Sequence, residues 1–127
     1  MQFLNFVAAG LCFVLGLVHS TMGERFILIP LFRRAELPKL LGSTAFTERT
    51  LRFAWHLTTI AWWGLAVIFC FMAWDRLSAS AASGVLAGIF LASAAVTMVL
   101  SRGRHLAWLV MLAIGAIALY GIRRFGD

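Results

Sequence analysis

Charge enters this chain rarely and in blocks. Residues 1–23, 53–74, 77–101 and 106–122 contain no Asp, Glu, Lys or Arg, and each run is apolar on every side of a helical projection. A helix rises 1.5 Å per residue, so about 17–25 residues cross a hydrocarbon layer about 30 Å thick. The pattern predicts four spanning helices, over residues 2–22, 52–74, 79–101 and 105–123. Spanning strands would instead alternate apolar and polar positions over about ten residues, and no such alternation is present. The fold class expected is an all-α, integral membrane four-helix bundle, with residues 1–127 forming a single transmembrane domain.

The first run has no basic residue ahead of it, and its end, "LVHST", does not match the small-residue pattern of signal-peptide cleavage. It is therefore read as a permanent span. Between the first two spans, residues 24–49 mix large apolar residues with arginines, Pro30 and Pro38. Proline interrupts a continuous helix, and Arg33 and Arg34 forbid a fifth span. An interfacial segment is expected here, its cations near anionic lipid. Thr47 is expected to cap the second helix, with Glu48 in its first turn.

Composition agrees with this reading. Of 127 residues 62% are hydrophobic, against 11 basic and 5 acidic, and the mean hydropathy is +0.93. Soluble domains are about half apolar and a quarter charged. Four spans place both termini on one side, side A, with Arg76, Arg123 and Arg124. The opposite side, side B, takes Arg25, Arg33, Arg34, Lys39, Arg49, Arg52, Arg102 and Arg104. Basic residues beside short loops stay cytoplasmic, so side B is predicted cytoplasmic and both termini periplasmic. Arginine outnumbers lysine ten to one, a bias associated with GC-rich bacterial coding, which suggests a bacterial inner membrane. The net charge of +6 follows from topology and does not indicate nucleic-acid binding. Cys12 and Cys70 lie at different depths and read as small apolar residues, not as a redox pair.

The third run carries Gly84, Gly88, Ala92 and Ala95 along one face. Small residues let helices approach closely in lipid. Packing within the bundle is the first expectation, and a homodimer or a partner subunit on this face is the second.

All three histidines fall at side B: His19 at the end of the first span, His56 one turn into the second, His105 at the start of the fourth. At 1.5 Å per residue their levels differ by about 8 Å. Ionisable groups inside spans are functional candidates. Neutral imidazoles bind transition metals, so His19, His56, His105 and Glu24 are candidate metal ligands. Alternatively, two histidines would be axial ligands of haem b, with Arg52, Arg102 and Arg104 as partners for its propionates. Trp55, Trp62, Trp63, Phe53 and Trp108 would line the macrocycle. In an unbroken helix, residues five apart point about 140° away from each other, so Glu24 reaches His19 only if the chain bends at Gly23. The sequence thus points to a small membrane protein that binds a metal or haem at the cytoplasmic face, with redox activity as a further expectation. A non-catalytic accessory or scaffold subunit is the alternative. No acid lies inside a span, which disfavours a coupled pump, and no P-loop, dinucleotide fingerprint, GxSxG or HExxH motif is present.

Overall fold

The computed structural model describes residues 1–34, 36–40 and 42–125. Four helices are long and apolar enough to cross a membrane. They are α1 (Gln2–Phe32), α2 (Ala45–Ala73), α3 (Ala79–Ser101) and α4 (Ala107–Phe125). Each packs on its neighbour in the chain, α1 on α2, α2 on α3, and α3 on α4. Among the described residues α1 and α4 make no comparable contact. The helices therefore follow one another as a row of antiparallel hairpins. Most large side chains point outward; Phe3, Leu11, Val99 and Ile117 are all exposed. Such a surface is stable only against an apolar surrounding.

The first helix runs further than the sequence suggests. The segment Gly23–Leu28 widens to a π-helix, in which Ile29 donates its amide to the Glu24 carbonyl five residues back. Ile29–Phe32 then resume the α form, with Pro30 in the first turn. Proline was expected to end the helix; the π turn accommodates it instead. The whole element has 31 residues, about 46 Å at 1.5 Å each.

The connection to α2 is stapled by Thr47, whose hydroxyl donates to the Pro38 carbonyl at 2.8 Å. This corrects the expected cap, because α2 begins earlier, after Thr44, with no side-chain cap. Glu48 does occupy the first turn. Ser78 caps α3 by accepting from the Ala81 amide at 3.0 Å. At the other end Arg102 (φ 54°) and Gly103 (φ 73°) are left-handed, and the Gly103 amide reaches back to the Met98 carbonyl at 2.8 Å. That is the six-to-one closure that ends helices sharply.

Helix contacts are made by large side chains lying over glycines. A Cβ on Gly16 would sit 2.6 Å from the Trp63 indole nitrogen, and one on Gly23 would overlap the Trp55 indole. Gly64 receives Ile89, and Gly115 receives Leu91. The small-residue face of α3 behaves differently from expectation. A Cβ on Gly84 would meet Ile122 of α4 at ordinary distance, but one on Gly88 would meet nothing within 4 Å, and Ala92 and Ala95 are exposed. The α3 positions that are buried are Ala87, Ser93, Ala94, Thr97 and Ser101.

These contacts make two glycines unequal. Gly23→Ala is expected to destabilise the α1–α2 pair by about 1–3 kcal/mol, the cost of overpacking. Gly88→Ala is expected to be neutral or stabilising, by up to about 1 kcal/mol, because alanine is the better helix former. Thermal unfolding of both variants in detergent checks the contrast.

Candidate functional site

Three side chains of α2, one turn apart, donate hydrogen bonds to backbone carbonyls of α1. Trp55 Nε1 bonds the His19 carbonyl at 3.0 Å, Thr59 Oγ1 the Gly16 carbonyl at 3.3 Å, and Trp63 Nε1 the Phe13 carbonyl at 3.1 Å. The donors advance by four residues along α2 while the acceptors retreat by three along α1, as antiparallel neighbours require. The glycines make this possible by letting the indoles lie close to the α1 backbone.

At its side-B end this ladder opens into a polar network. Ser20 Oγ lies 2.7 Å from His56 Nδ1 and 3.1 Å from Thr59 Oγ1. The opposite ring nitrogen, His56 Nε2, lies 3.4 Å from Glu24 Oε2. Glu24 in turn is held by Arg52, through Nη2 to Oε1 at 2.8 Å and Nε to Oε2 at 3.3 Å. Arg52 also lies over the Phe32 ring, 5.0 Å from its centre. His56, Glu24 and Arg52 side chains are between about a quarter and two-fifths exposed. A carboxylate beside Nε2 favours the tautomer with its proton there, which leaves Nδ1 to accept the Ser20 hydroxyl proton. The imidazole is thereby suspended between a hydroxyl and a carboxylate. That arrangement holds the ring in one orientation.

The π turn builds this site. It begins at Gly23, where a bend was expected if Glu24 were to join His19, which it does not. The carboxylate so placed meets His56 and Arg52 on α2. His19 instead stacks on Trp55, rings 4.4 Å apart and nearly parallel, with Trp62 edge-on at 4.9 Å. Its Nε2 is buried without a hydrogen-bond partner.

His105 belongs to another environment. Its ring packs between Phe46 and Phe53, and its Nδ1 accepts the Ala107 amide at 3.3 Å. It therefore serves the α3–α4 turn. Arg102 and Arg104 are exposed on the same turn, apart from the Glu24–Arg52 pair. Among the described residues no group of three or more His, Cys, Asp or Glu side chains is placed to hold a metal ion. The expected meeting of His19, His56, His105 and Glu24 thus reduces to Glu24 with His56. For His56 to ligate an ion or haem it would have to leave Ser20 or Glu24.

The aromatics expected to line a macrocycle have other tasks. Trp55 and Trp63 are the ladder's donors, and Trp108 bonds the Gly103 carbonyl at 3.4 Å. Ser20 and Thr59 escaped the sequence reading altogether. The available signal was polar residues at matched depth on the first two spans. No protein family, curated protein or solved structure matches the chain.

The network is expected to couple energetically. Ser20→Ala and His56→Ala combined in a double-mutant cycle should show a coupling of about 0.5–2 kcal/mol. Arg52→Ala strands the Glu24 carboxylate and should cost about 1–3 kcal/mol, with Arg52→Lys intermediate because a lysine lacks the two-pronged geometry. Denaturant or thermal unfolding in micelles measures each.

Proposed function

We propose that this chain is a polytopic inner-membrane protein whose working group is an acid–base histidine, His56, at the cytoplasmic membrane face. The single observation that carries the proposal is the series Ser20–His56–Glu24–Arg52, with the Ser20 hydroxyl 2.7 Å from one ring nitrogen of His56 and the Glu24 carboxylate 3.4 Å from the other. Two partners of opposite character, a hydroxyl donor and a carboxylate, give the ring a route to take up a proton on one side and release it on the other. Arg52 orients Glu24 and balances its charge. The π turn supports the same reading, since such insertions concentrate at functional sites.

The eight basic residues at the α1–α2 and α3–α4 connections, against three near the termini and the α2–α3 turn, support a cytoplasmic placement of the site. They also support contact with anionic headgroups.

A second reading keeps a metal or haem. The unpartnered, buried Nε2 of His19 favours it, because an imidazole nitrogen so placed is available as a ligand. Elemental analysis and an absorption spectrum of purified protein, beside His19→Ala, separate the two readings.

The acid–base reading is tested by nitrogen NMR of ¹⁵N-histidine-labelled protein in lipid nanodiscs and vesicles. One imidazole, assigned with His56→Asn, should respond at Nδ1 to Ser20→Ala and at Nε2 to Glu24→Gln. Its spectrum should change when pH is stepped on the cytoplasmic side and stay fixed when pH is stepped on the other. A ring indifferent to both variants and to pH on either side contradicts the reading.

A further inference from the structure

The face that α1 turns to α2 changes register at the widened turn. Ala9, Gly16 and Gly23 are buried at intervals of seven, a spacing that an α-helix stacks on one side. Four residues further on, an unbroken helix would bury Ile27. Ile27 is instead 49% exposed, and Leu28 is only 2% exposed. Phe32, one place beyond Leu31, is the residue that lies against Arg52. The π segment Gly23–Leu28 thus takes up one residue, and the chain after it is turned by about 100° from where a plain α-helix would carry it. The sequence suits both settings. Ile27–Leu28 and Leu31–Phe32 are apolar pairs, and Ile in place of Leu conserves volume. Polar contacts distinguish the two. One guanidinium clasps both ends of the widened turn: Arg52 meets the Glu24 carboxylate at 2.8 Å near its start and lies 5.0 Å from the centre of the Phe32 ring beyond its end. Leu31 in that place would offer no ring to the cation. Pro30 acts in the same direction, because in an unbroken helix its ring would press on the Phe26 carbonyl.

We infer that Gly23–Phe32 is a register switch with two settings, operated by the charge on Glu24. With Glu24 ionised, Arg52 is held over Phe32 and the turn stays widened. With Glu24 protonated, the guanidinium loses its partner and leaves the ring. The segment then returns to the α form, and Ile27 and Leu31 move onto α2 in place of Leu28 and Phe32. This exchange turns the outer end of α1 by about 100° and lengthens the helix by about 1.5 Å. A proton gained at the site is thereby converted into a rotation of the stretch that carries Arg33 and Arg34. Few other groups can interfere. The helix packed against the widened turn is α2, and its titratable groups at the carboxylate are Arg52 and His56. Among the described residues Glu24 has no further ion-pair partner, Glu48 and Arg49 of α2 form no ion pair, and Arg25, Arg33 and Arg34 are exposed. The switch needs only a change of charge at Glu24, so it stands apart from the acid–base reading of His56.

The test is a distance measurement by double electron–electron resonance on full-length protein in nanodiscs, with Cys12 and Cys70 replaced by alanine. A nitroxide at exposed Ile29 reports on the chain beyond the turn, and one at exposed Leu17 on the chain before it. Each is paired in turn with a reference label at exposed Leu65 on α2 and at exposed Leu106 ahead of α4. On a helix about 10–12 Å across, a rotation of about 100° moves a side chain by about 8 Å. Glu24→Gln should therefore shift at least one Ile29 distance by several ångströms and leave the Leu17 distances unchanged. Phe32→Leu should do the same, whereas Phe32→Tyr keeps the ring and should keep the wild-type distances. Circular dichroism should show equal helix content throughout. Ile29 distances that stay fixed in Glu24→Gln or in Phe32→Leu, a matching shift at Leu17, or a loss of helical signal in place of rotation overturns the inference. The ¹⁵N spectrum of His56 is read on the same variants. Shifted distances with a His56 indifferent to Glu24→Gln remove the acid–base reading alone, and a responsive His56 with fixed distances removes the switch alone.

Discussion

Buried polar groups away from water must find partners within the protein, and in this chain that demand is met chiefly between α1 and α2. Trp55, Thr59 and Trp63 each donate to an α1 carbonyl, which sets the register of the two helices residue by residue. Everything at the site follows from that register. It brings His56 opposite Ser20 and Arg52 opposite Glu24. A slide of one helical turn, about 5.4 Å, would part His56 from Ser20 and Arg52 from Glu24. The glycines at 16 and 23 are the complementary condition, since a side chain at either would push the indoles off the backbone.

The hydroxyl–imidazole–carboxylate series can be viewed as a continuation of the same ladder. Thr59 takes part in both, donating to the Gly16 carbonyl and sitting 3.1 Å from Ser20 Oγ. The polar site is thus anchored at its apolar end by hydrogen bonds to backbone, which is stiff, and at its outer end by the Glu24–Arg52 pair. In a low-dielectric surrounding such bonds are strong individually, and a missing partner is costly. Both features hold His56 in one orientation.

The spans were legible in the sequence because lipid-length apolar runs are a one-dimensional signal. Span limits near Met22, Ala73 and Ser101 follow from where charge resumes. The continuation of α1 to Phe32 was hidden, because Pro30 and the nearby arginines read as helix breakers, and a π turn has no compositional signature. The row-like arrangement was hidden as well, since all-round apolar helices do not reveal which faces meet. For the site, depth was readable and direction was not. His19, His56 and His105 do share one end of the molecule, yet their rings turn to an indole stack, a carboxylate and a phenylalanine pair respectively. Glu24 was expected to join His19 through a bend at Gly23; a π turn begins there instead, and the carboxylate meets His56. The ladder was missed because Trp55 and Trp63 read as bulk aromatic surface, when their indole N–H groups matter more than their rings.

The account depends on the register that this ladder sets, and one measurement reaches it directly. In lipid bilayers, protein labelled with indole-¹⁵N tryptophan and carbonyl-¹³C histidine should show dipolar coupling for a single close pair, Trp55 with His19, and the signal should vanish in Trp55→Phe. Absence of that coupling in folded wild-type protein, or its persistence in Trp55→Phe, would contradict the pairing of α1 with α2 on which the site is built.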